Sequence, residues 1–272
     1  MTNRIRLLLI FLFSAYTLTA QTKNTKPFTI GEITTIKSVI LNENRTLNIY
    51  LPEGYNDKEK YPVIYLLDGS ANEDFIHIVG LVQYFNMTFK MPNTIIVGIA
   101  NVDRRKDFTF PTKNAALKKT YPTTGGSAKF IDFVEKELQP YINANYKLND
   151  TSYLIGQSLG GLMATEILLK KPDLFTNYII VSPSLWWDDE SLLKQAPSLL
   201  AGQTDNKKWV YISVGIEGKI MERDAAGIVK ALKNSGKKNL KVDFVPLPKE
   251  NHATILHNSL YEAFKILYPY KE

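Results

Sequence analysis

The sequence predicts an α/β protein, a mainly parallel doubly wound sheet with an antiparallel hairpin at its N-terminal edge. Three features carry this. Nearly continuous apolar runs recur along the chain, each followed by a segment of helical spacing, which is the pattern of strands covered on both faces. The first two strand-like runs differ, being joined only by Asn42-Glu43-Asn44. The third feature is Gly156-Gln157-Ser158-Leu159-Gly160, which closes one apolar run and opens a helical one.

In order along the chain, residues 1–20 carry Arg4 and Arg6, then apolar Leu7 to Phe13, then Thr17-Leu18-Thr19-Ala20. That is the layout of a secretory signal peptide, too short in its apolar part to span a bilayer. Residues 21–272 are then expected as a single exported domain, periplasmic or secreted, with no stable membrane anchor. The chain has no cysteine, which excludes both a disulfide framework and a cysteine-linked lipid. Its net charge of +6 comes without a dense Lys/Arg block, so no nucleic-acid partner is expected.

After a polar leader, residues 28–41 and 45–51 form the expected hairpin strands. The run Pro62 to Leu67 is a central strand ending in Asp68-Gly69-Ser70, residues 74–89 a helix, and residues 93–100 a second buried strand. A long connection opened by Arg104-Arg105 leads to a helix over 126–145. Tyr153 to Gly156 is the strand before Ser158; residues 178–181, 209–214 and 240–245 are further strands, and a last helix spans 254–267.

Ligands of such sheets bind beyond the carboxyl ends of the strands, so chemistry is sought there. Ser158 at a sharp strand-to-helix turn is the candidate nucleophile, with the helix N-terminus behind it. Three histidines compete to be its base. His77 lies inside the first helix and His257 in the first turn of the last, whereas His252 follows the last strand on a short loop. His252 is therefore the expected general base. The expected acid is Glu217, directly after the strand 209–214; Glu222, Asp224, Asp188 and Asp189 remain alternatives, as does a serine-histidine pair with no acid. Leu159 and Ser70 are the candidate amides for an oxyanion hole. Trp186 and Trp187 are candidates for a stacking wall, and Arg104 and Arg105 for contacts to an anionic group. These groups suffice for ester chemistry, and neither a metal nor an organic cofactor is implied.

Leu66-Leu67-Asp68-Gly69, the turn Gly156 to Gly161, Lys171 to Phe175, Ser182 to Trp187, Ser213 to Gly218 and Glu250-Asn251-His252 together resemble the putative-esterase branch of the α/β-hydrolases. That branch includes esterase D, feruloyl and acetyl-xylan esterases, enterobactin and bacillibactin esterases, and mycolyl transferases. The resemblance runs from about Lys37 to Tyr268 and is strongest toward the siderophore-esterase-like group. It implies the α/β-hydrolase fold, a serine esterase working through Ser158 and His252, and a small-molecule ester substrate of aromatic or anionic character, such as a catecholate siderophore. A carbohydrate acyl esterase, an acyltransferase and a binding-only protein that has lost its chemistry are the rival expectations.

Overall fold

The computed structural model describes residues 25–271; the signal-peptide expectation lies outside them. The order of elements is β1 (Glu32–Ser38), β2 (Glu43–Tyr50), β3 (Tyr61–Leu66), α1 (Phe75–Phe89), β4 (Ile95–Ile99), α2 (Arg104–Asp107), α3 (Ala115–Thr120), α4 (Ser127–Phe133) and α5 (Gln139–Asn145). They are followed by β5 (Leu148–Gln157), α6 (Leu159–Lys170), β6 (Asn177–Val181), α7 (Trp187–Ala201), β7 (Lys208–Val214), α8 (Lys219–Lys233), β8 (Leu240–Pro246) and α9 (Ile255–Leu267).

One eight-stranded sheet runs in the order β1-β2-β4-β3-β5-β6-β7-β8. Strands β1 and β2 pair antiparallel, β2 is antiparallel to β4, and every pairing from β4 to β8 is parallel. This is the α/β-hydrolase arrangement with its antiparallel edge. Every residue of β3 and β7 is buried, so their apolar runs serve two faces at once. Alternate residues divide accordingly: Val63 and Tyr65 pack with α4 to α8, while Ile64 and Leu66 pack with α1 and α9.

The hairpin is shifted from expectation, β1 beginning at Glu32 rather than at Phe28 and β2 taking up Glu43 and Asn44, which pair with Ser38 and Lys37, so that the turn is residues 39–42. Two further differences have local causes. The first strand stops at Ser38 rather than reaching Leu41, because the Glu137 carboxylate, which also accepts from the Ser38 hydroxyl, takes the Val39 and Ile40 amides, the two donors that a continued ladder would use. The helix over 126–145 is interrupted by a π turn at Val134–Leu138. Pro140 has no amide to donate, and just ahead of it Gln139 N–H reaches back five residues to Val134 O.

Among the described residues no helix is long and apolar enough to cross a membrane. The carboxyl ends of β3, β5, β6, β7 and β8 open on one edge of the sheet, and their loops supply the site.

Candidate active site

Ser158 connects β5 directly to α6 with φ 60° and ψ −119°, a region that costs a residue with a Cβ on the order of 1–3 kcal/mol. The turn closes this tightly because Gly156 has no side chain: a Cβ there would stand 2.3 Å from Gly160 O. The strained serine is half-buried, its own amide donating to Val181 O at 3.1 Å and its carbonyl accepting from Ser184 N at 3.0 Å. Its hydroxyl lies 3.4 Å from the Ser184 hydroxyl and makes no hydrogen bond to His252.

His252 is held at the same mouth from three sides. Gln157, the residue before the serine, donates through its side-chain amide to the His252 carbonyl at 2.5 Å. Ile216 N–H donates to Glu250 O at 2.8 Å, joining the loop after β7 to the loop after β8. That approach needs Gly215, where a Cβ would meet Glu250 O at 2.5 Å. The third tie is Glu217, whose Oε2 meets His252 Nδ1 at 2.5 Å while Oε1 accepts from Ser182 Oγ at 2.5 Å and Gly215 N at 3.0 Å. The Glu217 side chain is 2% exposed and the imidazole 48%. Burial alone pushes the Glu217 carboxyl up, but the bonds from His252, Ser182 and Gly215 outweigh it and hold the group below the ordinary glutamate range.

The other acids weighed from the sequence lie elsewhere. Glu222 accepts from the amides of Glu217 and Gly218 and so shapes the loop that carries Glu217. Asp224 is buried against Arg223. Asp188 accepts from Thr112, Lys113 and Ser191, and Asp189 from Asn114, fastening the start of α7 to the connection after β4. His77 and His257 face each other across α1 and α9, ring centroids 3.8 Å apart, and neither lines the space around Ser158.

The cleft has two lobes that share Ser158 and His252. One, about 500 Å³, is walled by Trp186, Ile216, Met221 and Ala253. The other, about 440 Å³, is walled by Asp68, Glu73, Asp74 and Arg104. Trp186 is thus at the mouth, but Trp187 is not: it is 0% exposed, and its indole N–H donates to Phe110 O at 2.9 Å. The expectation of a two-indole wall is corrected to one, because the N–H of a buried indole needs a partner and this one finds it in the core. Arg104 is also corrected. Its guanidinium donates twice to Asp68, at 2.6 and 2.9 Å, and to Gln157 O at 3.3 Å, so it braces the ends of β3 and β5 rather than standing free for an anion. Arg105 is exposed, its guanidinium 5.2 Å from the Tyr121 ring, and Tyr121 in turn lies 6.3 Å from Trp186. Leu159 N–H, at the start of α6, has no intrahelical acceptor. Ser70 N–H donates to Glu73 Oε2 at 3.3 Å.

Sequence reasoning missed Ser182, Ser184, Gln157, Ile216 and Met221 at the site. Gln157 was legible as the x of Gly-x-Ser-x-Gly, and Ile216 as the neighbour of Glu217. Ser182 and Ser184 stand in the stretch Ser182 to Trp187 without any sign there of a role, and Met221 carries no pattern of its own.

A family model described as Putative esterase matches residues 38–253. The chain belongs to the Putative esterase family. Ferri-bacillibactin esterase BesA of Bacillus subtilis is 30% identical to this esterase over 240 residues, 79% of this chain and 82% of that protein. The IroE-like serine hydrolase of Shewanella oneidensis superposes with a TM-score of 0.79 at 30% identity, covering 88% of this chain and 80% of that one. The BES protein of Bacillus cereus does so with a TM-score of 0.79 at 29% identity, covering 90% and 98%. The chain is an ester hydrolase.

Proposed function

We propose that this esterase is an exported serine hydrolase that cleaves siderophore esters through Ser158, His252 and Glu217. The observation that carries the triad is the His252–Glu217 contact at 2.5 Å, opening on the cleft that holds the strained Ser158. Export is supported by the leader of residues 1–20, which precedes the fold.

With Nδ1 bonded to Glu217, the imidazole offers Nε2 to the nucleophile. Ser158 Oγ and His252 are not hydrogen-bonded in the resting molecule, and the half-exposed ring meets the hydroxyl when substrate is bound. Ser158 Oγ attacks the ester carbonyl carbon as its proton passes to His252. The resulting oxyanion accepts from the amides of Leu159 and Ser70 at the positive end of α6. Collapse expels the alcohol, which leaves with the proton held by His252. Water then attacks the acyl-enzyme carbonyl and gives its proton to His252, which returns it to Ser158 Oγ as the acyl C–O bond breaks, releasing the acid and free Ser158.

The siderophore reading is supported by the names of the relatives and by the Trp186, Tyr121 and Arg105 sequence of rings and cation at one rim. Such a rim suits an aromatic ring bearing negative oxygen. Steady-state hydrolysis of an aromatic siderophore trilactone and of feruloyl and acetyl sugars tests it. The trilactone is expected to be turned over with kcat/KM roughly tenfold or more above the sugar esters. No turnover of the trilactone ends the siderophore assignment.

Glu217→Gln is expected to lower kcat by about 10²–10⁴-fold, by removing the charge that orients and stabilises the imidazolium. It also has a stability signature. Because the folded carboxyl titrates below its ordinary value, the unfolded chain binds more protons in the window between the two values. The stabilisation is complete above the ordinary value and is lost as pH falls through the folded one. Melting temperatures at pH 7 and pH 4 are therefore expected to diverge more for the wild type than for Glu217→Gln. Equal divergence would show that Glu217 is no better stabilised in the fold than in water.

A further inference from the structure

The acidic lobe of the cleft is not explained by ester cleavage alone. Asp68, Glu73 and Asp74 face it against one guanidinium, Arg104, which both oxygens of Asp68 already occupy. Burial first, and the neighbouring Asp68 next, push the Asp74 carboxyl above its ordinary range, while His257 and Arg104 pull it the other way.

Glu73 stands apart within this group. Ser70-Ala71-Asn72-Glu73 is a tight turn closed by Glu73 N–H donating to Ser70 O at 3.0 Å, and the Glu73 side chain folds back over it so that Ser70 N–H donates to Glu73 Oε2 at 3.3 Å. The peptide leading to Ser70 is rigid, with Gly69 N–H bonded to Ile99 O at 3.0 Å and Gly69 O accepting from Asn48 Nδ2 at 2.7 Å. The Glu73 side chain is exposed and its bond to Ser70 is long. A fixed amide thus carries a carboxylate that is easily displaced, on the same cavity as Ser158 and His252.

We infer that Glu73 is a charge-selective gate on the oxyanion hole: its carboxylate occupies the Ser70 amide in the resting enzyme, yields it to the scissile carbonyl, and favours esters carrying a cation in the acidic lobe over esters carrying an anion there. This rests on the reading of Ser70 N–H as an oxyanion donor. Once displaced, the carboxylate remains beside the bound ester with Asp68 and Asp74. A quaternary ammonium in the lobe gives those charges a partner, and a carboxylate adds to their repulsion. The aromatic rim at Trp186 lies in the other lobe and is unaffected.

The test uses three activated aryl esters of equal length whose acyl chains end in a quaternary ammonium, a tert-butyl or a carboxylate group. The wild type is expected to show kcat/KM for the ammonium ester roughly tenfold or more above the carboxylate ester at low salt, a ratio that shrinks as salt screens it. Glu73→Gln keeps an acceptor oxygen for the turn but removes the charge; it is expected to bring the ratio toward one and to speed the tert-butyl ester several-fold. A merely structural cap would leave the ratio untouched in Glu73→Gln and slow all three esters equally in Glu73→Ala, and either result overturns the gate. Ser158→Ala, run on the same esters, separates the two ideas. Turnover surviving in Ser158→Ala removes the oxyanion-hole reading and the gate with it. Turnover abolished there, with the ratio unchanged in Glu73→Gln, removes the gate alone.

Discussion

Ser158→Ala is expected to lower kcat by a factor on the order of 10⁴–10⁶ with KM little changed, since only the attacking oxygen is removed. The substitution keeps the Cβ, so the backbone at φ 60° is no more and no less strained than before. Loss of the Ser158 hydroxyl costs only the 3.4 Å contact to Ser184, and the melting temperature is expected to stay within a degree or two of wild type, on the order of 0.5 kcal/mol. An unfolding transition unmoved beside a collapsed kcat identifies the hydroxyl as the reacting group rather than a support of the turn. Ser158→Gly is expected to be equally inactive but more stable, because glycine relieves the strain that holds the serine in place.

His252→Ala is expected to match that loss within about tenfold, because a serine without its base is nearly as inert as no serine. The double variant Ser158→Ala/His252→Ala is expected to be no slower than either single one, the mark of two groups acting as a unit. The imidazole is 48% exposed, so little core is disturbed, and Glu217 keeps its bonds to Ser182 and Gly215 when His252 is gone. Full activity in His252→Ala would assign the base elsewhere; neither His77 nor His257, both exposed, lines the cleft.

The parts of the molecule legible in the sequence are those where one local pattern determines the outcome. Apolar runs such as Tyr61–Leu66 and Lys208–Val214 demand two covered faces, and Gly156-x-Ser158-x-Gly160 demands a strand-to-helix turn with no room for a side chain. The hairpin and the parallel sheet follow from these. What was not legible depends on partners distant along the chain. The end of β1 is set by Glu137, about a hundred residues on, and nothing in residues 28–41 announces it. Trp186 and Trp187 are identical in the sequence, and only the position of Phe110 O sends one into the core and leaves the other at the mouth. Arg104 reads as a free cation until Asp68 is found beside it across 36 positions. Position after a strand end selected Ser158, His252 and Glu217, but it did not say which neighbours hold them, because that depends on how the loops after β7 and β8 meet through Ile216 and Glu250.

The most direct measurement is covalent labelling with a fluorophosphonate, followed by intact mass and peptide mapping. A phosphonyl adduct on the peptide carrying Ser158 is predicted for the wild type, with labelling slowed steeply in His252→Ala and absent in Ser158→Ala. Equal labelling of wild type and Ser158→Ala, or an adduct mapped to another residue, would contradict it.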